Sequence, residues 1–146
     1  MKNKLIAIIM LVCTLPVAAA VFKSNLPIME ITSVANQSSD RVRIKGLNYD
    51  NKSVTLEVAP SGKIIGEDLR NINPRHSVSV TVLALDSPSV ITEGSLVMQL
   101  EGNSLATTLS RGIVKEGDLD GAALLKIVVT EGGRIFVGPD MDKRIV

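Results

Sequence analysis

Residues 41–58 read Arg41-Val42-Arg43-Ile44-Lys45-Gly46-Leu47-Asn48-Tyr49-Asp50-Asn51-Lys52-Ser53-Val54-Thr55-Leu56-Glu57-Val58, and the fold class follows from how they alternate. Val42 and Ile44 fall on one side of an extended chain, with Arg41, Arg43 and Lys45 on the other. After the break, Val54, Leu56 and Val58 face one way and Ser53, Thr55 and Glu57 the other. A period of two is the side-chain repeat of a strand with one buried and one wet face. Asn48-Tyr49-Asp50-Asn51 between the halves is rich in residues that adopt tight turns, so the stretch predicts a β-hairpin.

The same pattern spreads outward. Val78, Val80 and Val82 alternate with Ser77, Ser79 and Thr81, and Asp86-Ser87-Pro88 closes that segment after Leu83-Ala84-Leu85. From Gly94 the turns come faster, giving strands over 95–100, 104–109, 113–114, 124–130 and 134–137. Glu131-Gly132-Gly133 predicts a hairpin with a primed turn, because paired glycines supply positive φ angles without steric cost. Helical spacing occurs only over Gly62 to Asn73, at Ile64, Ile65, Leu69 and Ile72; Pro74 ends it after one or two turns. The expected fold is all-β, a small β-clip, β-barrel or sandwich of short antiparallel strands, divided into units at 21–93 and 94–146.

The first twenty residues carry a different signal. Met1-Lys2-Asn3-Lys4 precedes the apolar run from Leu5 to Val12, Pro16 follows, and Ala18-Ala19-Ala20 offers small residues for cleavage. This is the order of a Sec-type signal peptide, 1–20, so the chain is expected in the periplasm. Leu5 to Ala20 spans roughly 16 residues where a membrane-crossing helix needs about 20, which favours removal. The alternative is an uncleaved helix anchoring the protein in the inner membrane, facing the periplasm.

Composition narrows the chemistry. Lys2 and Lys4 leave with the signal, so the 16 basic residues become 14 against 15 acidic ones, a net charge of −1. Such a balance gives no basic stripe for nucleic acid. The single cysteine, Cys13, lies inside the signal, which removes disulfides, thiolate metal sites and cysteine catalysis from the mature chain. Phe22, Tyr49 and Phe136 are the whole aromatic set, with no Trp, so stacking platforms for sugars or bases are disfavoured. The core must be Val, Leu and Ile, which suit a pleated surface.

No constellation for catalysis stands out. His76, the only histidine, lies between Arg75 and Ser77 with no second ligand nearby and reads as a solvated loop residue. Glu116-Gly117-Asp118-Leu119-Asp120-Gly121 resembles the opening of a calcium loop, but the closing position is Ile127 and the flank reads as a strand. An acidic β-turn accounts for it. Glu93, Glu101, Asp118 and Glu131 offer carboxylates without any sign that they share a cleft. No cofactor and no enzymatic activity are expected.

From Glu93 to Ile145 the pattern resembles the C-terminal domain of the flagellar basal-body P-ring assembly chaperones, the FlgA-like family whose relatives carry the SAF β-clip domain. The residues that carry it are Val90-Ile91-Thr92-Glu93-Gly94, Leu96-Val97-Met98-Gln99-Leu100, Ser104-Leu105-Ala106-Thr107, Gly117-Asp118-Leu119-Asp120-Gly121 leading into Leu125-Lys126-Ile127-Val128-Val129, and Arg134-Ile135-Phe136-Val137-Gly138. Gly62 to Leu69 is similar to the family's clip phrase. The resemblance implies a non-catalytic periplasmic domain that holds an envelope ring or pilus subunit and prevents its premature association. Such a role needs an open strand edge or apolar groove. The expected contact edge is the run containing Val78, Val80, Val82, Leu83 and Leu85, whose alternative reading is a central core strand; Ile145-Val146 is a second candidate for strand addition. A structural component of a secretion, pilus or virion assembly, retained by its N-terminal helix, is the competing reading. A homo-oligomer is compatible with both, and membrane contact only with the anchored form.

Overall fold

The computed structural model describes residues 28–141, so the expected signal segment and the Ile145-Val146 end lie outside the described residues. The alternating segments form ten strands: β1 (Glu30–Asn36), β2 (Arg41–Leu47), β3 (Ser53–Val58), β4 (Lys63–Ile65), β5 (Val78–Leu83), β6 (Val90–Glu101), β7 (Ser104–Leu109), β8 (Ile113–Lys115), β9 (Leu124–Thr130) and β10 (Arg134–Pro139). A single helical turn, α1 (Glu67–Arg70), lies between β4 and β5. The all-β expectation holds for the described residues.

Two five-stranded sheets result, one ordered β4-β1-β9-β10-β8 and the other β3-β2-β5-β6-β7. The second is antiparallel throughout. The first is mixed, because β1 runs parallel to β9 and β8 parallel to β10. Those partners are far apart in sequence or separated by a strand, and only crossovers can join parallel neighbours. Ile31, Val34, Leu125, Ile127, Val129, Ile135 and Val137 of the first sheet meet Val42, Ile44, Val80, Val82, Leu96 and Met98 of the second in one apolar cluster. The product is a β-sandwich, with the chain changing sheets four times: at three short corners, 37–40, 59–62 and 110–112, and over the longer connection 66–77 that carries α1.

Each corner is held by a specific device. At the first two, Asn36 is buried and bridges both: its Nδ2 donates to the carbonyls of Asp40 at 2.7 Å, Val58 at 3.2 Å and Ala59 at 3.1 Å. Its Oδ1 accepts from the backbone N–H and hydroxyl of Ser38, at 3.0 and 2.6 Å. At the third corner, Gly112 lies so close to β6 that an added Cβ would sit 1.9 Å from the Glu93 carbonyl oxygen. Only a residue without a side chain fits there.

Several expectations change. Residues 93 and 94 are neighbours inside β6, and β1 completes the sheet of β9 and β10, so the division into units at 21–93 and 94–146 cuts through a strand and through the shared core. Turn density reports where strands end, not which strands pair. The segment Lys63–Ile65 is a strand on β1 rather than the start of a helix, and the helical part contracts to α1, with Leu69 and Ile72 buried beneath it. The β9–β10 hairpin forms as expected, with Thr130 opposite Arg134. Its turn is different: Gly133 N–H donates to Thr130 O at 3.1 Å, and of the two residues between them only Gly132 has positive φ, 85°, the pattern of a type II turn. β1 itself breaks strict alternation through a register shift between Ile31 and Ser33, which hides it from a period-two search.

Candidate functional site

The expected contact edge is overturned. β5 lies in the middle of its sheet, with Val80 opposite Ile44 of β2 on one side and Gly94 of β6 on the other. Val78, Val80, Val82 and Leu83 are buried. A run of apolar residues suits a central strand as well as an edge, and only the pairing separates the two. Leu85, just past the strand, is half-exposed and lies outside the ladder.

The edges lie elsewhere. β4 and β8 are three residues each, too short to template much. β3 is longer but protected: Glu57 pairs with Arg43 at 3.0 Å, and Lys52 and Pro60 flank the strand. Charges and prolines at such places discourage addition of a foreign strand. β7, Ser104-Leu105-Ala106-Thr107-Thr108-Leu109, carries no charge and no proline.

Its backbone directions follow from the register. Ala106 is opposite Gln99, and Ser110 N–H donates to Ser95 O at 2.9 Å, so the even-numbered residues bond toward β6. Leu105 O instead accepts from Gly121 N–H, at 3.4 Å, on the far side. Because successive residues point their polar groups in opposite directions, the N–H and C=O of Thr107 also face away from β6. No strand pairs with them among the described residues. The side chains of Leu105, Thr107 and Leu109 lie opposite Leu100, Met98 and Leu96, which carries the apolar inner face out to the edge. Within that face the Thr107 hydroxyl is buried with no hydrogen-bond partner. A buried hydroxyl left unmatched costs on the order of 1–3 kcal/mol, so a group able to reach it from the edge would be favoured.

Two ends of the sandwich complete the surface. At one, Leu85, Val90 and Ile91 are 50, 55 and 45 % exposed at the β5–β6 connection. Arg41 steadies that loop, donating from Nε to Ala84 O at 3.3 Å and from Nη2 to Ser87 O at 3.0 Å. At the other end an open cleft of about 380 Å³ is lined by Arg75, Met98, Gln99 and Leu100. Tyr49 stands in the same electrostatic neighbourhood: burial raises its phenol pKa above the ordinary value, Glu30 raises it further, and Arg75 pulls it down.

His76 is exposed, and no group of three His, Cys, Asp or Glu side chains gathers as a metal site among the described residues. In the acidic loop, Asp118 Oδ1 accepts from Asp120 N–H at 2.9 Å, so that carboxylate closes its own turn. No described helix is long and apolar enough to cross a membrane. No family model, curated protein or solved structure matches the chain. The β7 strand was expected at 104–109 but not singled out as an edge because it alternates weakly; the signal that finds it is the absence of charge over Ser104–Leu109.

Proposed function

We propose that this is an exported, non-catalytic protein-binding domain that serves in the periplasm as an assembly chaperone or accessory factor for an envelope machine, holding a ring or pilus subunit by adding one of that subunit's strands to β7. The observation that carries the reading is the uncharged β7 edge, with an unpaired backbone at Thr107 and an unmatched hydroxyl beneath it. An added strand supplies backbone hydrogen bonds along the edge and apolar side chains at alternate positions. The signal-like residues 1–20 and the resemblance to P-ring assembly chaperones support the compartment and the class of partner.

A photo-crosslinking residue placed in the full chain at the exposed Thr108, and at exposed Thr55 of β3 as a control, tests it in cells. The expected result is a crosslink to one envelope subunit from position 108, absent from position 55. Thr107→Pro removes an N–H that points away from β6, so the strand tolerates it while an added strand loses its register. The crosslink should vanish in that variant with thermal unfolding nearly unchanged. Equal crosslinking from both positions, or a product indifferent to Thr107→Pro, defeats the reading.

A further inference from the structure

We infer that the cleft where β6 outruns β5 is a second peptide site, distinct from β7, which takes the carboxylate of an extended segment on Arg75. β6 has 12 residues and β5 only 6, and their ladder ends where Val78 faces Leu96. Past that point the β5 side of β6 is used once more: Met98 N–H donates to Pro74 O at 2.7 Å. Two residues on, the Leu100 N–H points the same way by the strand's alternation, and no strand lies beside it among the described residues. Leu100 itself lines, with Arg75, Met98 and Gln99, a cleft of about 380 Å³, a volume at the small end of the roughly 300–1,000 Å³ usual for ligand sites.

The charge in that cleft fixes the ligand chemistry. Arg75 is exposed, and the ion pairs among the described residues join Arg41 and Arg43 to Glu57 and Arg70 to Glu30, leaving the Arg75 guanidinium without a carboxylate. Its backbone is fixed, since Arg75 N–H donates to Asn73 Oδ1 at 3.1 Å. A guanidinium presents a planar fork that matches a carboxylate with two parallel hydrogen bonds. A peptide running beside β6 would place its carboxylate on that fork, accept from Leu100 N–H, and rest an apolar side chain on Leu100, which is 37 % exposed. The site lies on the β5 side of β6, opposite β7, so it stands or falls apart from the edge reading.

The test follows backbone amide resonances of the full chain during titration with acetyl-Val-Thr-Val bearing a free carboxylate, the same peptide as its C-terminal amide, and acetyl-Val-Thr-Asp amide. The free acid, the acidic side chain or both should bind and shift the Leu100 amide, and the tighter of the two names the source of the carboxylate. Arg75→Gln should weaken that binding roughly tenfold or more, the scale of a charge-assisted hydrogen bond. Equal binding of the plain amide, no binding of either carboxylate form, an unmoved Leu100 resonance, or an Arg75→Gln variant that binds normally each overturns the assignment.

Discussion

Asn36→Ala should be among the most damaging substitutions outside the apolar core. The side chain is 1 % exposed, and so is its neighbour Ser38. Its Nδ2 has two hydrogens shared among the Asp40, Val58 and Ala59 carbonyls, while Oδ1 takes two donors from Ser38. That amounts to four full hydrogen bonds, and at a net of about 1 kcal/mol each the loss is about 4 kcal/mol. Alanine leaves every one of those partners in place, two of them on a buried Ser38, so the desolvation cost is incurred without compensation. A loss of this size is a large part of the roughly 5–15 kcal/mol that holds a domain folded. With no Trp in the chain, far-ultraviolet circular dichroism is the signal to follow in a urea titration. With an m-value of about 2 kcal/mol/M, the midpoint should fall by about 2 M at constant m. A companion variant separates hydrogen bonding from packing. Asn36→Asp keeps the shape but turns a carboxylate oxygen toward three carbonyls, which raises its pKa above the ordinary ~3.9. A folded pKa above the unfolded one means that stability is fully present below the unfolded value and falls as pH rises through the folded one. The Asp variant should therefore be more stable at pH 4 than at pH 7. A loss under about 1 kcal/mol for the Ala variant would refute the reasoning, because the knot would then be replaceable by water.

Gly112→Ala forces a Cβ to within 1.9 Å of Glu93 O and should cost about 3 kcal/mol or more in thermal unfolding. Gly121→Ala, with φ 74° but open space around it, should cost only about 1–2 kcal/mol. Arg41→Ala removes the two bonds to the β5–β6 loop, so hydrogen exchange at Ala84, whose N–H donates to Ser89 O, should accelerate while β9 stays protected. The only tyrosine, Tyr49, should titrate above 10.0 by phenolate absorbance, moving higher still in Arg75→Gln and lower in Glu30→Gln. Since its folded pKa is raised, the contribution of the neutral phenol to stability is intact below pH 10 and is lost as pH rises through the folded value.

The hairpins were legible because both determinants are local. In residues 41–58, alternation assigned Val42, Ile44, Leu56 and Val58 to one face, and the structure pairs Val42 with Val58 and Ile44 with Leu56. Asn48 supplies the turn, its Oδ1 accepting from Asp50 N–H at 2.8 Å and Lys52 N–H at 3.0 Å. Long-range pairing was not legible. β1 escaped notice because its register shift breaks the period of two, and its partner β9 begins 94 residues beyond its start, at Leu124 opposite Glu30. The same blindness misplaced the contact edge. Ser77 to Leu85 reads as a long unbroken β run ending in Leu83-Ala84-Leu85, and Val78, Val80, Val82 and Leu83 are buried between two neighbouring strands, so the apolar continuity that suggested an edge is the mark of a core strand.

The useful sequence signal for an edge is therefore the reverse of the one for a strand. Central strands are recognised by what they bury, and edges by how they are defended. β3 and β7 occupy equivalent positions at opposite sides of one sheet and have equal lengths, 6 residues each. β3 carries the Glu57 carboxylate facing Arg43, with Lys52 and Pro60 beside it. β7 has none of these, and its inner face holds a hydroxyl that the fold itself does not satisfy. The cost of an unmatched buried hydroxyl and the hazard of an undefended edge fall on the same residue, Thr107, and the strand addition proposed above would pair its outward-facing N–H and C=O.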